Sequence, residues 1–407
     1  MHVRLGEALR MALFDDAYPA NPHPALAELR QAGPAHRVTS PAGIPFWLVT
    51  RWDEARLVLT DPSLSKQQPM DGLPPHLSSA LTTQMLLRDP PDHTRLRRLV
   101  SAGFTPRRTE ALRPRIERLT DQLIDGFAAD AEVDVIDRLA VPLPFEVICE
   151  LLGIPAAERG PFRAWSDTII VGGADMVEAL SQSVAYFRDL LARKRAQPAD
   201  DLLSALAGIV DDGDRLSDDE LVGMALLLVV AGHETTANLI GNTVHLLSRH
   251  PSQRSRLRDD PGLVPAVVEE VLRMASPSAT STYRVTTRPL TLGDTTIPAG
   301  EQVLVSLLAA NRDPRRFTGP DTFDPGRPDA GHLAFGHGIH FCLGAPLARM
   351  EAQIAVRRLF ARHPDLEVTV APSELRWRTG LLMHGLRSLP VRLRPGGCFS
   401  TSFSQVA

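Results

Sequence analysis

The sequence predicts a mainly α-helical protein with a small β portion late in the chain. A long apolar segment from Ser217 to about Arg249 begins with a capping box formed by Ser217 and Glu220, which is typical of a helix N-terminus. The 34 prolines divide the rest of the chain into many bounded segments. Residues 283–308 instead alternate with a period of two, as short strands do. Together these three observations favour a mostly helical fold with a few strands.

Glycine and proline place most of the element boundaries. In chain order, we predict a strand at Phe46–Val49, a helical segment to Leu59, a Pro-, Met- and Leu-rich loop at 66–88, a basic helical segment from His93 to Glu117, several helices from about Ala131 to Ala207 with breaks at 153–155, 172–173 and 197–198, the long helix to about Arg249, a helix from Pro265 that ends before Pro277, strands at Tyr283–Val285, Leu290–Leu292 and Val303–Val305, a glycine-rich loop at 335–344, a helix from about Pro346 to Ala361 and a strand near Val391–Leu393.

Composition argues against several broad classes of protein. Lys and Arg number 44 against 48 Asp and Glu, so the net charge of -4 gives no reason to expect nucleic acid or an anionic membrane as a partner. Met1–Arg10 carries charged residues with no apolar block behind them, unlike a signal peptide. The apolar run Leu221–Gly232 stops at His233 and is much shorter than the roughly 20 residues that a membrane-spanning helix needs. We therefore expect a cytoplasmic protein with no membrane segment.

The three cysteines lie far apart and form no C-x-x-C pair, so cysteine alone builds neither a disulfide framework nor a structural zinc site. Cys149 lies in an apolar run and reads as a packed thiol, and Cys398 in a polar tail reads as incidental. Cys342 differs, because glycines flank it on both sides and a helix with Pro346 in its first turn follows it. A helix N-terminus favours a thiolate.

The string Phe335, Gly338, Cys342 and Gly344 resembles the haem-binding loop of the cytochrome P450 family. Three further segments match that family in the same order: Ala231–Thr236 resembles its oxygen-activating helix stretch, Glu270–Arg273 its E-x-x-R pair, and Asn311–Arg327 the segment with a second arginine. The resemblance extends from about Asn21 to Leu393. It implies one mainly α domain over residues 1–407 with the cytochrome P450 fold, a triangular prism with a helix-rich part and a small β-rich part, and with residues 1–20 and 396–407 as peripheral ends.

This resemblance also implies roles for individual residues. Haem b would have the thiolate of Cys342 as its iron ligand, because a thiolate favours cleavage of the O–O bond. Its carboxylates would take hydrogen bonds from His93, Arg97, Arg284 and His340, and Phe335, Ala231 and Gly232 would lie against the cofactor. Glu234 and Thr235 would be the catalytic pair that delivers protons. Glu270, Arg273 and Arg327 would form a structural triad that supports the cysteine loop. Without the resemblance, His93 and Arg97 would read as a solvated helix face.

The family pattern places the substrate pocket among mainly apolar side chains, namely Leu227, Val230, Ala231, Ala279, Thr280, Leu381 and Leu382, together with residues 66–88 and about 160–184. We expect a bulky, largely apolar substrate such as a polyketide macrolide, terpenoid or steroid-like molecule. Electrons would come from NAD(P)H through a ferredoxin reductase and a ferredoxin that docks on the basic stretch 93–118, although such a charge run is usually a solvated face. We expect a monomer.

Two alternatives compete with an NAD(P)H-driven monooxygenase. One is a haem-thiolate peroxygenase or isomerase, and the other is a haem-based sensor or ligand-binding protein without catalysis. Both have less need for an acid beside an alcohol, and that pair is intact here as Glu234 and Thr235. A zinc-protease helix is excluded, because the second histidine of H-E-x-x-H would stand where the chain has Ala237.

Overall fold

The long apolar segment forms the centre of the fold in the computed structural model, which describes residues 13–15, 17–67, 73–127, 132–171, 173–210, 213–329 and 331–393. The capping box is present: the Glu220 N–H donates to Ser217 Oγ, and the Ser217 N–H donates to Glu220 Oε2 at 2.8 Å. The predicted helix is interrupted once, at His233, so it consists of two helices in succession. We call them the central helices.

The described helices of four residues or more are α1 (His23–Ala32), α2 (Trp52–Thr60), α3 (Pro75–Thr82), α4 (Asp92–Ser101), α5 (Pro106–Ala111), α6 (Arg113–Asp125), α7 (Pro142–Leu152), α8 (Arg159–Val171), α9 (Met176–Ala196), α10 (Leu202–Gly208), the central helices α11 (Asp218–Gly232) and α12 (Glu234–Arg249), α13 (Pro251–Asp259), α14 (Val264–Met274), α15 (Leu307–Ala310) and α16 (Ala345–Arg362), with a π-helical turn at Ile136–Ala140. Helices α7, α9 and α3 pack against α11, whereas α14 and α16 pack against α12. The predicted mainly α class is therefore confirmed.

The strands are β1 (Ala35–Thr39), β2 (Pro45–Val49), β3 (Leu64–Ser65), β4 (Glu132–Asp134), β5 (Arg284–Thr286), β6 (Leu290–Leu292), β7 (Thr295–Ile297), β8 (Gln302–Val305), β9 (Glu367–Val368) and β10 (Pro390–Arg392). They form a five-stranded sheet in the order β1-β2-β8-β5-β3, a three-stranded sheet β4-β10-β9 and the hairpin β6-β7. Strands β2 and β8 run parallel, and the other pairs are antiparallel. The late period-two segment thus joins strands from the N-terminal part in one sheet.

Most of the first half of α11 is buried in the main hydrophobic core, from Leu221 to Leu226. Asp218–Arg249 as one run of 32 residues is long and apolar enough to span a membrane, but 67% of its most apolar window is buried inside the protein. A largely buried apolar helix is typical of the core of a globular protein.

The prediction of a loop over residues 66–88 is wrong in part. Helix α3 begins there at Pro75, and a short 3-10 turn follows at Met85–Leu87. Helix α3 packs closely on α11, because a Cβ on Gly223 would clash with the carbonyl oxygen of Ala80. Ser79 Oγ also donates to Asp219 Oδ2 at 2.5 Å. These contacts stabilise a helix of only eight residues that local propensity does not predict.

Other boundaries also differ from the prediction. The basic segment predicted as helical from His93 to Glu117 comprises three helices, because Pro106 and Pro114 each begin a new one. Helix α13 and strand β7 were not predicted. Cys398 lies outside the described residues.

Candidate active site

The cysteine loop is a tight turn between Leu333 and the first residue of α16. The Cys342 N–H donates to the carbonyl oxygen of Phe335 at 2.9 Å, so the two ends of the loop lie side by side. Gly338 has a φ of 75°, and a Cβ there would lie only 3.0 Å from the carbonyl oxygen of Leu59. Only glycine combines this left-handed backbone with so close an approach. The glycine spacing of the motif therefore has a direct structural cause.

The thiol of Cys342 lies at the N-terminus of α16. Cys342 as a whole is exposed, but protein atoms surround its sulfur atom. This burial raises the pKa of the thiol, whereas hydrogen bonds from the N–H groups of Gly344 and Ala345 and the nearby charge of Arg97 lower it. Burial has the largest effect, so the pKa of the thiol is raised on balance, and these donors and charges only partly favour the thiolate. The arrangement suits a sulfur ligand to a cationic metal centre, which would itself complete the stabilisation of the thiolate.

The predicted structural triad comes together in the interior. Arg273 is fully buried and donates two hydrogen bonds of 2.8 Å to the carboxylate of Glu270. Arg327 Nε lies 3.5 Å from Glu270 Oε1. Arg273 also donates to the carbonyl oxygen of Asn311, and the side chain of Asn311 accepts from the N–H of Leu333, where the cysteine loop begins. The triad is thus connected to the loop through one residue.

Replacing Glu270 by glutamine should lower the free energy of unfolding by about 3–5 kcal/mol, because two arginines would lose the carboxylate that neutralises them. Arg273 has no access to solvent that could compensate. Denaturant unfolding followed by circular dichroism measures this loss, and the yield of haem-loaded protein should fall with it. Glu28→Gln, at an exposed position on α1, is the matched control and should leave both unchanged. A Glu270→Gln protein of parental stability would contradict the proposed structural role.

Glu269 supports the same loop, although no motif in the sequence indicates this role. Its carboxylate accepts from Arg349 Nε at 2.6 Å and contacts His332 Nε2 at 3.1 Å. Burial alone would raise the pKa of Glu269, but the hydrogen bonds from Arg349 and His332 lower it to about 2. The guanidinium of Arg349 lies 4.5 Å from the ring centre of Phe335. Phe335 is therefore held by a cation–π contact that is itself anchored on α14.

The four predicted donors to the haem carboxylates lie close together. His93 and Arg97 are one turn apart on α4, and the rings of His93 and His340 have centroids 4.2 Å apart. Neither ring nitrogen of His93, which is buried, has a hydrogen-bond partner among the described residues, and the same holds for Nε of the buried Arg284. Unpaired buried donors are costly. A cofactor that brings carboxylates would satisfy them, so these residues fit the haem that the resemblance implies.

The stretch predicted to activate oxygen, Ala231–Thr236, lies where the two central helices meet. Thr235 Oγ1 donates to the carbonyl oxygen of Ala231 at 2.8 Å, and Thr236 Oγ1 donates to that of Gly232 at 3.1 Å. These side chains compete for the carbonyls at the turn where the helix is interrupted at His233. The hydrogen bonding of the helix is therefore locally weakened at this turn.

Glu234 is buried and forms an ion pair that the sequence analysis did not predict. Its Oε1 lies 2.6 Å from Arg378 Nη1. Burial raises the pKa of Glu234, and the charge of Arg378 partly opposes this shift. Arg378 belongs to a short antiparallel segment, because its N–H donates to the carbonyl oxygen of Gly385. The predicted pocket residues Leu381 and Leu382 lie in the turn between Arg378 and Gly385. The ion pair with Arg378 therefore links the carboxylate of Glu234 to that turn.

Partly accessible residues follow the buried stretch Leu221–Leu226 in the second half of α11. Leu227, Val230 and Ala231 are at least partly accessible, and Thr235 continues the same face at the start of α12. Residues spaced by three or four lie on one side of a helix. The stripe therefore places predicted substrate residues and the predicted proton-delivery residue Thr235 on one accessible side of the central helices.

The remaining predicted pocket residues come from two segments that pair with each other. The Ala279 N–H donates to the carbonyl oxygen of Leu382 at 2.8 Å, and Ser278 bridges to Met383. Thr280 bridges to Ser306 and is buried. Leu382 is 46% exposed, a large fraction for an apolar side chain. Their lining of a substrate pocket remains a prediction.

The basic stretch 93–118 is less free than its sequence suggests. Arg95 forms ion pairs with Asp214 and Glu220, Arg113 pairs with Glu110, and Arg115 binds Glu150. Acidic residues, both within the run and distant in the chain, therefore neutralise part of its positive charge. Arg107 is exposed, and the cysteine loop exposes Ile339 and Phe341.

Comparison with known proteins connects this geometry with one family. The sequence model described as "Cytochrome P450" matches residues 262–383. The cytochrome P450 monooxygenase PikC of Streptomyces venezuelae is 49% identical, over 95% of each chain. The 6-deoxyerythronolide B hydroxylase of Saccharopolyspora erythraea is 43% identical over 94% of this chain and 98% of its own. The tirandamycin C-bound structure of the P450 monooxygenase TamI superposes with a TM-score of 0.86 at 46% identity, covering 93% of this chain and 99% of that one.

Proposed function

This chain belongs to the cytochrome P450 family, and from that premise we propose that it oxidises a bulky, largely apolar small molecule of the polyketide macrolide kind. It is a monooxygenase whose cofactor is haem b and whose electrons come from NAD(P)H through redox partner proteins. Insertion of one oxygen atom of O2 into the substrate releases the other as water.

Cys342 is proposed as the iron ligand, with His93, Arg97, Arg284 and His340 as donors to the haem carboxylates. When bound, the haem with its thiolate ligand supplies the activation of dioxygen. The chain's own residues supply protons and exclude water. Glu234 can hold a proton on its carboxyl group, because burial raises its pKa. The Thr235 hydroxyl, fixed on the carbonyl oxygen of Ala231, can receive that proton and pass on its own.

The accessible stripe on α11 carries the proposal for the substrate. Leu227, Val230 and Ala231 offer aliphatic surface, and Thr235 ends the stripe with one hydroxyl. A site of this composition favours apolar molecules that are oriented by few polar contacts. Two relatives agree with this chemistry: one is named for hydroxylating 6-deoxyerythronolide B, and the TamI structure contains tirandamycin C.

Spectral titration of the purified, haem-loaded protein tests the substrate class. Macrolides and their aglycones should displace water from the iron and shift the absorption spectrum at micromolar concentration, whereas terpenoids and steroids of similar size should bind more weakly. Leu227→Glu should abolish the shift, because it places a charge on the stripe. The same substitution at the exposed Leu57 on α2 is the control. Tighter binding of terpenoids or steroids than of any macrolide would reject the macrolide class.

A monomeric, cytoplasmic protein that is reduced by a ferredoxin completes the proposal. The docking surface would be the cysteine loop with the exposed Ile339 and Phe341, together with the exposed Arg107. An apolar centre with a basic rim suits an acidic redox protein.

Reduction by such a ferredoxin should slow steeply as salt rises through the range in which the Debye length falls from about 30 to about 10 Å. Stopped-flow measurement of the reduction rate gives this dependence. Arg107→Glu should reduce the rate at low salt and flatten the salt dependence, and Arg258→Glu, 55% exposed on α13, is the control. A parental salt dependence in Arg107→Glu would remove this residue from the docking surface.

A further inference from the structure

Lys66 is a fully buried lysine that immediately follows strand β3. Its Nζ donates to the carbonyl oxygen of Tyr283 at 2.9 Å and also contacts Thr282 Oγ1. Only two of the chain's 44 basic residues are lysines, Lys66 and Lys194. A compact ammonium group in a chain that otherwise uses arginine indicates a position where a guanidinium does not serve as well.

Positive charge accumulates around Lys66. Arg284 follows Tyr283 directly in the chain and repels the ammonium, and burial with this repulsion lowers the pKa of Lys66 to about 7. Lys66, Arg284, Arg97 and His93 all act electrostatically on His340. The basic cluster around His340 therefore includes Lys66 as well as the four residues that the family motif indicates.

Within the part of the chain that the structure describes, Asp89 is the carboxylate that attracts Lys66, His93 and Arg284. Its oxygens already accept from Ser65 Oγ at 2.5 Å and from the backbone N–H of Lys66 at 2.9 Å. Lys66 and Arg284, both buried, thus share Asp89 as their carboxylate partner among the described residues, and an uncompensated buried charge is costly. A ligand with two carboxylates at this position would remove the imbalance.

We propose that Lys66 is a fifth basic residue of the site that receives the haem carboxylates, and that its charge favours the reduced state of the bound cofactor. This inference depends on the proposed haem site. A positive charge held in a dry environment stabilises an added electron nearby. Lys66 also ties the residue after β3 to the backbone just before β5, so it keeps Arg284 in place. It acts through charge and position, and takes no part in the transfer of atoms.

Lys66→Gln separates charge from structure, since its amide can still donate to the carbonyl oxygen of Tyr283. In the haem-loaded protein we expect transfer of haem to apomyoglobin to be about tenfold faster or more, because a charge-assisted hydrogen bond is lost. We also expect a more negative reduction potential. Lys194→Gln is the matched control: it removes the other lysine, whose Nζ lies 2.6 Å from Asp201, and should change neither value.

If Lys66 only linked the two segments structurally, Lys66→Gln would keep the parental reduction potential and the parental rate of haem transfer. That result would overturn the proposal. If Lys66→Gln does not fold, Lys66→Met decides, because it removes the charge from a side chain of similar length: a clearly more negative potential supports the proposal and a parental one overturns it. The carbonyl spectrum of the parent protein tests thiolate ligation independently. A failure of the haem site is therefore distinguishable from a failure of Lys66.

Discussion

Cys342→Ser should fold, lose the carbonyl absorption band that gives the family its name, and lose oxygen insertion completely. The physical reason is the donor atom. A serine hydroxyl has a much higher pKa than a thiol, so the same backbone N–H groups of Gly344 and Ala345 cannot hold it as an anion. The strong electron donation of a thiolate to the iron is then absent.

Three measurements check this expectation: the difference spectrum of the reduced protein with carbon monoxide, the haem content, and product formation with a redox system. Cys149→Ser is the matched control. Cys149 is fully buried in α7, and burial raises the pKa of its thiol to about 12, so it is an unreactive packing group. Its replacement should lower stability but retain the band. A retained band in Cys342→Ser would mean that another residue ligates the iron.

The features that sequence predicted best are those whose cause is local. The capping box of α11 joins residues three positions apart, and the glycines of the cysteine loop are required by its own backbone conformation at Gly338. The pair of Glu270 and Arg273 also lies within one helical turn. For such features the interacting atoms are neighbours in the chain, so a pattern of residue types is enough to predict them.

The features that sequence missed depend on contacts between distant segments. Lys66 and its acceptor Tyr283 are 217 positions apart, and Glu269 and Arg349 are 80 apart. No period or spacing connects such residues. The basic stretch 93–118 is a second example. In the sequence Arg95 looks like a free charge, because only the fold places Asp214 and Glu220 beside it. The one indication of Lys66 in the sequence is that lysine is rare in this chain, whose other basic residues are almost all arginines.

Substitutions of Glu234 and Thr235 should impair proton delivery while haem binding and substrate binding are retained. Glu234→Gln should slow product formation by about 10² to 10⁴, the range that general acid–base assistance supplies, while the substrate-binding spectrum changes little. Glutamine keeps the shape of the side chain but cannot hold a transferable proton. It also weakens the ion pair with Arg378, so the unfolding transition of the variant must be measured alongside its rate.

Thr235→Ala should bind haem and substrate and continue to consume NAD(P)H, but much of the reduced oxygen should leave as hydrogen peroxide. The hydroxyl is the group through which the proton from Glu234 would reach the oxygen side of the pocket, and alanine cannot replace it. Parallel assays of NAD(P)H, peroxide and product measure the coupling directly.

Thr236→Ala is a closely matched control for this assignment. Thr236 occupies the next position, and its hydroxyl likewise donates to a carbonyl one turn earlier, at 3.1 Å, but its side chain is buried and lies off the accessible stripe. A threonine that only shapes the helix would give the same result at either position. We expect uncoupling in Thr235→Ala alone. Full coupling in Thr235→Ala, or equal uncoupling in Thr236→Ala, would reduce both threonines to structural roles, and a parental rate in Glu234→Gln would leave Glu234 as no more than the buried partner of Arg378.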